Sequence, residues 1–253
     1  MGAIACASTV DISQPNLKVA LNFLFALVNF APPPDTAKQG IEGSFSVRLL
    51  SHTIGILTNP EKEWKAIRAD RHSFFQVFVT HVPFLALIPT VAGYFGVTRV
   101  GFEVGGHLAK LTPESAAVLS IVTYFALLVG VYCLGEFINW MARSYGVEGD
   151  EATRHYEGTA LAVFITTPIF LASIVVVFPH PWLTMVAVGI AGMYSIYLVF
   201  AGIPILMKMN KERAFLYACA VLTVALVMMV TVLITSVILW SVGIGPVYQH
   251  HVQ

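Results

Sequence analysis

The chain has 253 residues, 57% of them hydrophobic and only 11% charged, with a formal net charge of zero and a mean hydropathy of +0.77. Soluble globular domains carry about 25% charged residues, so that class is excluded. The balance of acids and bases also gives no polycationic face for nucleic acid.

The first apolar stretch, residues 17–31, resembles a signal peptide only superficially. Lys18 alone precedes it, Asn22 and Asn29 interrupt it, and Asn29 stands close to the cleavage point that Ala31 would offer, where a small residue is required. The stretch is also shorter than the roughly 20 residues that cross hydrocarbon as a helix. It reads as an interfacial or partner-bound helix, ended by Pro32, Pro33 and Pro34.

Residues 45–57 place Val47, Leu50, Ile54 and Leu57 at helical spacing, predicting an amphipathic helix on the inner membrane surface. Asn59, Pro60 and Glu61 then form a helix start: a capping side chain, a residue with fixed φ, and a carboxylate at the positive end of the dipole. The helix that follows turns Trp64 and Ile67 toward the membrane. It offers Lys62, Lys65, Arg68 and Arg71 to lipid phosphates, as an ordinary basic juxtamembrane anchor does, with Glu61 and Lys65 spaced for an ion pair.

Five long apolar runs follow, at residues 74–95, 115–139, 158–178, 183–207 and 215–242, each long enough to span a bilayer. Every Lys and Arg except Arg99 and Lys110 falls before the first run or in the second and fourth connections. The positive-inside rule therefore orients the chain with its N-terminus in the cytoplasm and its C-terminus outside. Residues 96–114 form the one long outside loop, made flexible by its glycines and ended by Thr112, Pro113 and Glu114 at the next helix start. Pro179, His180, Pro181 and Trp182 make a tight outside turn, forcing the third and fourth runs into an antiparallel hairpin, with Trp182 at the interface.

Ala126 and Gly130 in the second run, and Ala187, Ala191 and Ser195 in the fourth, put small residues four apart on one helix face. Such faces let helices approach closely, either within one bundle or between protomers. Cys6, Cys133 and Cys219 have no metal-binding spacing and read as packing residues. Phosphate-cradling loops, His-Glu-x-x-His and nucleophile elbows are absent from the sequence, so neither enzyme chemistry nor a metal or cofactor is expected.

The best polar constellation is Glu136, Asn139 and Arg143 at the inner end of the second run, with Arg154, His155 and Glu157 at the start of the third. It reads either as a charge-paired loop junction or as an ion site at a cytoplasmic mouth. His81 is the deepest titratable residue, about 10 Å into the first run. Pro83 and Pro89 follow it and leave backbone carbonyls without amide partners. A transporter uses such a helix, whereas a packing histidine needs only a hydrogen-bond partner. The other histidines fall toward the ends of the runs or outside them, so a haem held by two facing spans is not expected.

Residues 197–208, from Tyr197 through Gly202 and Pro204 to Lys208, continue to Lys211, Glu212, Arg213, Ala214 and Phe215. With the Asn59, Pro60, Glu61, Lys62, Glu63, Trp64 segment, they resemble the bacterial Yip (Ypt-interacting protein) domain membrane proteins over about residues 45–242. The resemblance implies five spans, N-terminus inside and C-terminus outside, and it carries over no enzymatic activity. The resulting expectation is an all-α integral membrane five-helix bundle in a bacterial inner membrane. Its parts are an N-terminal extension at 1–44, cytoplasmic amphipathic helices at 45–73, the membrane domain at 74–242 and an outside tail at 243–253. Its expected role is a non-catalytic scaffold or accessory subunit that contacts membrane lipids and binds other integral membrane proteins or its own copies. The alternative is a small ion, proton or solute transporter.

Overall fold

The computed structural model describes residues 44–69, 74–104, 107–147, 151–178, 181–241 and 245–248. The chain divides into two units at Val47 and Arg48; of the first, only Ser44–Val47, the start of the first helix, is described, and every contact below lies within the second, Arg48–Gln253. The expected helix over 17–31, its proline break, Arg71, Pro179 and His180 lie outside the described residues.

Two short helices, α1 (Ser44–Thr58) and α2 (Pro60–Ala69), precede five long ones: α3 (Phe74–Phe95), α4 (Pro113–Ser144), α5 (Glu151–Ala172), α6 (Pro181–Leu206) and α7 (Lys211–Ser241). All five expected runs are helices long and apolar enough to cross a membrane. Their starts follow local chemistry. Asn59 Oδ1 accepts the Lys62 amide at 3.4 Å, and Thr112 Oγ1 accepts that of Ser115 at 3.4 Å ahead of Pro113. With 32 residues, α4 is about 48 Å long at 1.5 Å per residue and overshoots the hydrocarbon at its ends.

The segment after α3 carries short regular elements. The helix widens into a π-turn over Gly96–Val100 and stops at Gly101, whose φ of 79° suits a residue without Cβ. Strands β1 (Phe102–Val104) and β2 (His107–Ala109) then pair antiparallel, with Phe102 opposite Ala109. The chain's last described stretch is tied to this end: Val247 O accepts the Thr112 amide at 3.0 Å, and the Val247 amide donates to Ser115 Oγ at 3.0 Å. Amides at the end of a bundle need partners as much as those inside it, and the tail supplies them. Apart from this hairpin, the described fold is helical.

Helix α5 lies at the centre, against α3, α4 and α6, and continues as a 3₁₀ turn over Ser173–Val177. Residues Ala160–Ile165 are buried all round, which explains why α5 shows no apolar stripe. Helix α7 packs through Ala214, Tyr217, Ala218 and Val221 near its start and exposes Val232, Leu233 and Ile234 farther along. Exposed apolar side chains of this kind suit hydrocarbon surroundings, where burying them against protein brings no hydrophobic gain.

Helices α4 and α5 approach each other closely through their backbones. A Cβ at Gly158 would stand 3.2 Å from the Asn139 nitrogen, and one at Gly135 would stand 3.3 Å from Thr159 Cα. Only glycines permit this crossing. Of the expected small-residue faces, Ala191 and Ser195 are buried inside the bundle and Ala187 is half-buried. Ala126 is exposed, and Gly130 has nothing within 4 Å of its Cβ position, so among the described residues this pair packs against no other helix.

Candidate functional site

The most elaborate polar packing lies where α1 and α2 meet the bundle. Trp64 was expected to face lipid, yet it is 0% exposed. Its ring meets Phe164 of α5 edge-on, with centroids 6.1 Å apart, and a Cβ at Gly202 of α6 would lie 2.8 Å from it. Gly202 thus opens the slot that Trp64 fills. Ile67, three residues on and so on the same helical face, is buried as well. Sequence periodicity identified the apolar face of α2 correctly but assigned its counterpart to lipid, because a span and a bilayer present the same apolar chemistry.

Helix α1 turns Thr53 and Ile56 into the bundle, while Ile54 and Leu57 of the expected membrane-facing stripe are exposed; the side chains of Val47 and Leu50 lie outside the described residues. Among the described residues Glu61 and Lys65 form no ion pair. Glu63 instead meets His52 Nδ1, joining α2 to α1.

Tyrosines supply the donors that helix ends require. The Tyr194 hydroxyl donates to the Ile56 carbonyl at 2.8 Å near the end of α1. The Tyr156 hydroxyl donates to the Ile67 carbonyl at 2.8 Å near the end of α2. In return, Arg68 Nη1 donates to the Ile205 carbonyl at 2.8 Å, where α6 ends. The last carbonyls of a helix have no intrahelical partner, and away from water each costs about 1–3 kcal/mol if left unmet. These contacts replace lost water and lock α1 and α2 to the spans.

His81 lies directly beneath, 3% exposed. Its Nε2 is 3.4 Å from Thr53 Oγ1 of α1 and 3.3 Å from Thr167 Oγ1 of α5. Thr167 gives its own hydrogen to the Val163 carbonyl at 2.9 Å, which leaves Nε2 as the donor toward it. The Phe164 ring, 5.1 Å away, closes the other side. A single imidazole therefore ties α1, α3 and α5 together. Thr53, Phe164 and Thr167 carry no sequence signal of their own, and Gly202, part of the segment that carries the family resemblance, gains its role only from the packing.

The structure divides the polar constellation into two. Glu136 and Asn139 face His155, at 3.7 Å from its Nδ1 and with the Asn139 amide at 3.0 Å, while His81 keeps the separate partners above. Asn139 and Glu157 are buried, Arg143 is exposed, and the Arg154 side chain lies outside the described residues. Nearby, the Tyr217 hydroxyl donates to the Ile138 carbonyl, fastening α7 to α4. Glu136 and His155 retain solvent exposure, as a charge-satisfying helix junction does. Lys62 and Lys65 are exposed, as expected, and so is Trp182, at 78%. Among the described residues no group of three His, Cys, Asp or Glu could hold a metal.

Comparison with known proteins agrees with this architecture. The chain is 29% identical over 195 residues to inner membrane protein YohC of Escherichia coli strain K12, covering 77% of this chain and 98% of the relative. The same protein from Escherichia coli O6:H1 strain CFT073 matches equally well. No solved structure matches. The Yip1 domain model matches residues 54–247, from α1 through the C-terminal tie. That range contains the last turn of α1, all of α2 and all five spans, and on it the chain belongs to the Yip1 domain family of membrane proteins.

Proposed function

We propose that this protein is a non-catalytic scaffold or accessory subunit of a bacterial inner membrane, N-terminus inside and C-terminus outside, binding other integral membrane proteins or its own copies. The observation that carries the reading is the contrast between the two sides of the molecule. The α1–α2 end is keyed shut over His81 by Trp64 and the tyrosine bonds, while α4 leaves an open face with Ala126 and Gly130 on it. Small residues with nothing against them admit another helix at close range.

The orientation rests on the distribution of basic residues, and the choice of membrane on the relatives, which are inner membrane proteins. Cysteines placed at Lys110 and at Lys211 in turn are expected to react with impermeant reagents from the periplasm and from the cytoplasm, respectively. The opposite labelling would reverse the orientation.

A transporter is the second reading, favoured by the buried His81 beside proline-bearing α3 and α5. Native mass spectrometry of gently extracted protein separates the two. Under the scaffold reading the chain travels with stoichiometric copies or partner chains, Ala126→Leu with Gly130→Leu disperses them, and proteoliposomes show no flux. A monomer that drives flux abolished by His81→Ala or Glu136→Gln would establish the transporter instead.

A further inference from the structure

We propose that the rim formed by α2 and the α6–α7 turn binds the headgroups of anionic phospholipids. The proposal rests on the membrane-spanning architecture alone and is independent of any partner chain. Its basis is a group of like charges from two elements that are distant in sequence. Trp64 against Gly202 and Arg68 on the Ile205 carbonyl set α2 alongside the last turns of α6. This brings the Arg68 end of α2 to the last turn of α6, three residues before Lys208, with Lys65 one helical turn behind Arg68 and Lys211 at the start of α7. All three lysines are exposed, and among the described residues none pairs with a carboxylate. Glu63, the acid nearest Lys65 in sequence, is already engaged by His52. Arg68, by contrast, spends its guanidinium on protein and acts as the positioning residue for the rim.

Unpaired cations at the edge of hydrocarbon call for anionic counter-charges, and the surface beside them selects the kind. Phe200 and Phe215 stack with centroids 5.5 Å apart just beyond the turn, and Phe215 and Leu216 are more than half exposed. A soluble phosphate would satisfy the lysines and leave this apolar band unused. A phospholipid places its headgroup on the lysines and its acyl chains along the aromatic pair. The sequence names the basic residues of α2 as lipid contacts one by one, and the docking of α2 sets those of the α6–α7 turn beside it.

The test is native mass spectrometry of the full-length protein in mild detergent, given equal phosphatidylglycerol and phosphatidylcholine. Phosphatidylglycerol adducts are expected to dominate, and each lysine changed to Gln among Lys65, Lys208 and Lys211 is expected to reduce them about fivefold. Arg99→Gln with Lys110→Gln, at the other end of the bundle, serves as the control and is expected to leave them unchanged. Lys208→Arg is expected to retain them, which separates lost charge from lost fold. Equal retention of both lipids by the unaltered protein, or undiminished phosphatidylglycerol in the triple Gln variant, would overturn the proposal. So would displacement of the lipid by millimolar inorganic phosphate, which would show a site for the anion alone.

Discussion

Trp64→Ala is expected to detach α1 and α2 from the bundle and to be the most damaging single change at this end of the protein. Trp64 fills a slot bounded by Gly202, Leu161 and Phe164, and emptying a fully buried aromatic site costs about 3–5 kcal/mol. The loss is not confined to the cavity. With the hairpin displaced, the hydroxyls of Tyr156 and Tyr194 lose their carbonyl partners and His81 loses Thr53. The expected readout in detergent is a lower melting temperature together with new protease cleavage between Thr58 and α3. Gly202→Leu should reproduce it from the opposite side by filling the slot instead of emptying it. An unchanged melting temperature and an intact 58–74 segment in both variants would show that the hairpin is held by something other than this wedge.

Gly158→Leu is expected to force α4 and α5 apart. The glycine faces the Asn139 nitrogen at 3.2 Å and the Gly135 carbonyl at 3.3 Å, measured from its Cβ position. Backbone atoms cannot rotate out of the way as a side chain can, so the whole crossing must shift, at about 1–3 kcal/mol or more. Because Asn139 is also the partner of His155, the junction at that end opens with it. Gly189→Leu is the matched control, since nothing lies within 4 Å of its Cβ position. Reduced thermal stability of the Gly158 variant alone is the expected result. Equal stability of the two would mean that the crossing is looser than its geometry indicates.

The two glycine positions show where reading by residue type loses its power. Ala126 with Gly130 and Ala191 with Ser195 were equivalent in the sequence, small residues four apart in an apolar helix. Only Ala191 and Ser195 face the interior, and the glycines at the α4–α5 crossing, Gly135 and Gly158, sit on two different helices and form no repeat within either. A contact between helices is a property of pairs, and spacing along one strand of sequence records only half of each pair. The same limit separated His81 from Glu136, two ionisable groups near a common end that packing assigns to different partners.

The five spans, by contrast, were legible because each is a local quantity. A helix crosses hydrocarbon when about 20 successive residues are apolar, whatever its neighbours are. Capping by Asn59 and Thr112 is equally local, completed within three residues. What α2 would face was not local. Its apolar edge, Trp64 and Ile67, fits lipid and protein alike in composition, and the choice depended on whether another helix offered a slot of the right shape and a donor for each orphaned carbonyl. Gly202, Phe164, Tyr156 and Tyr194 supply these from positions about 90 to 140 residues away in the chain. Chain-local hydropathy therefore settled that five helices are long and apolar enough to cross a membrane, while long-range shape and hydrogen-bond matching settled which apolar faces meet protein and which are left for the membrane.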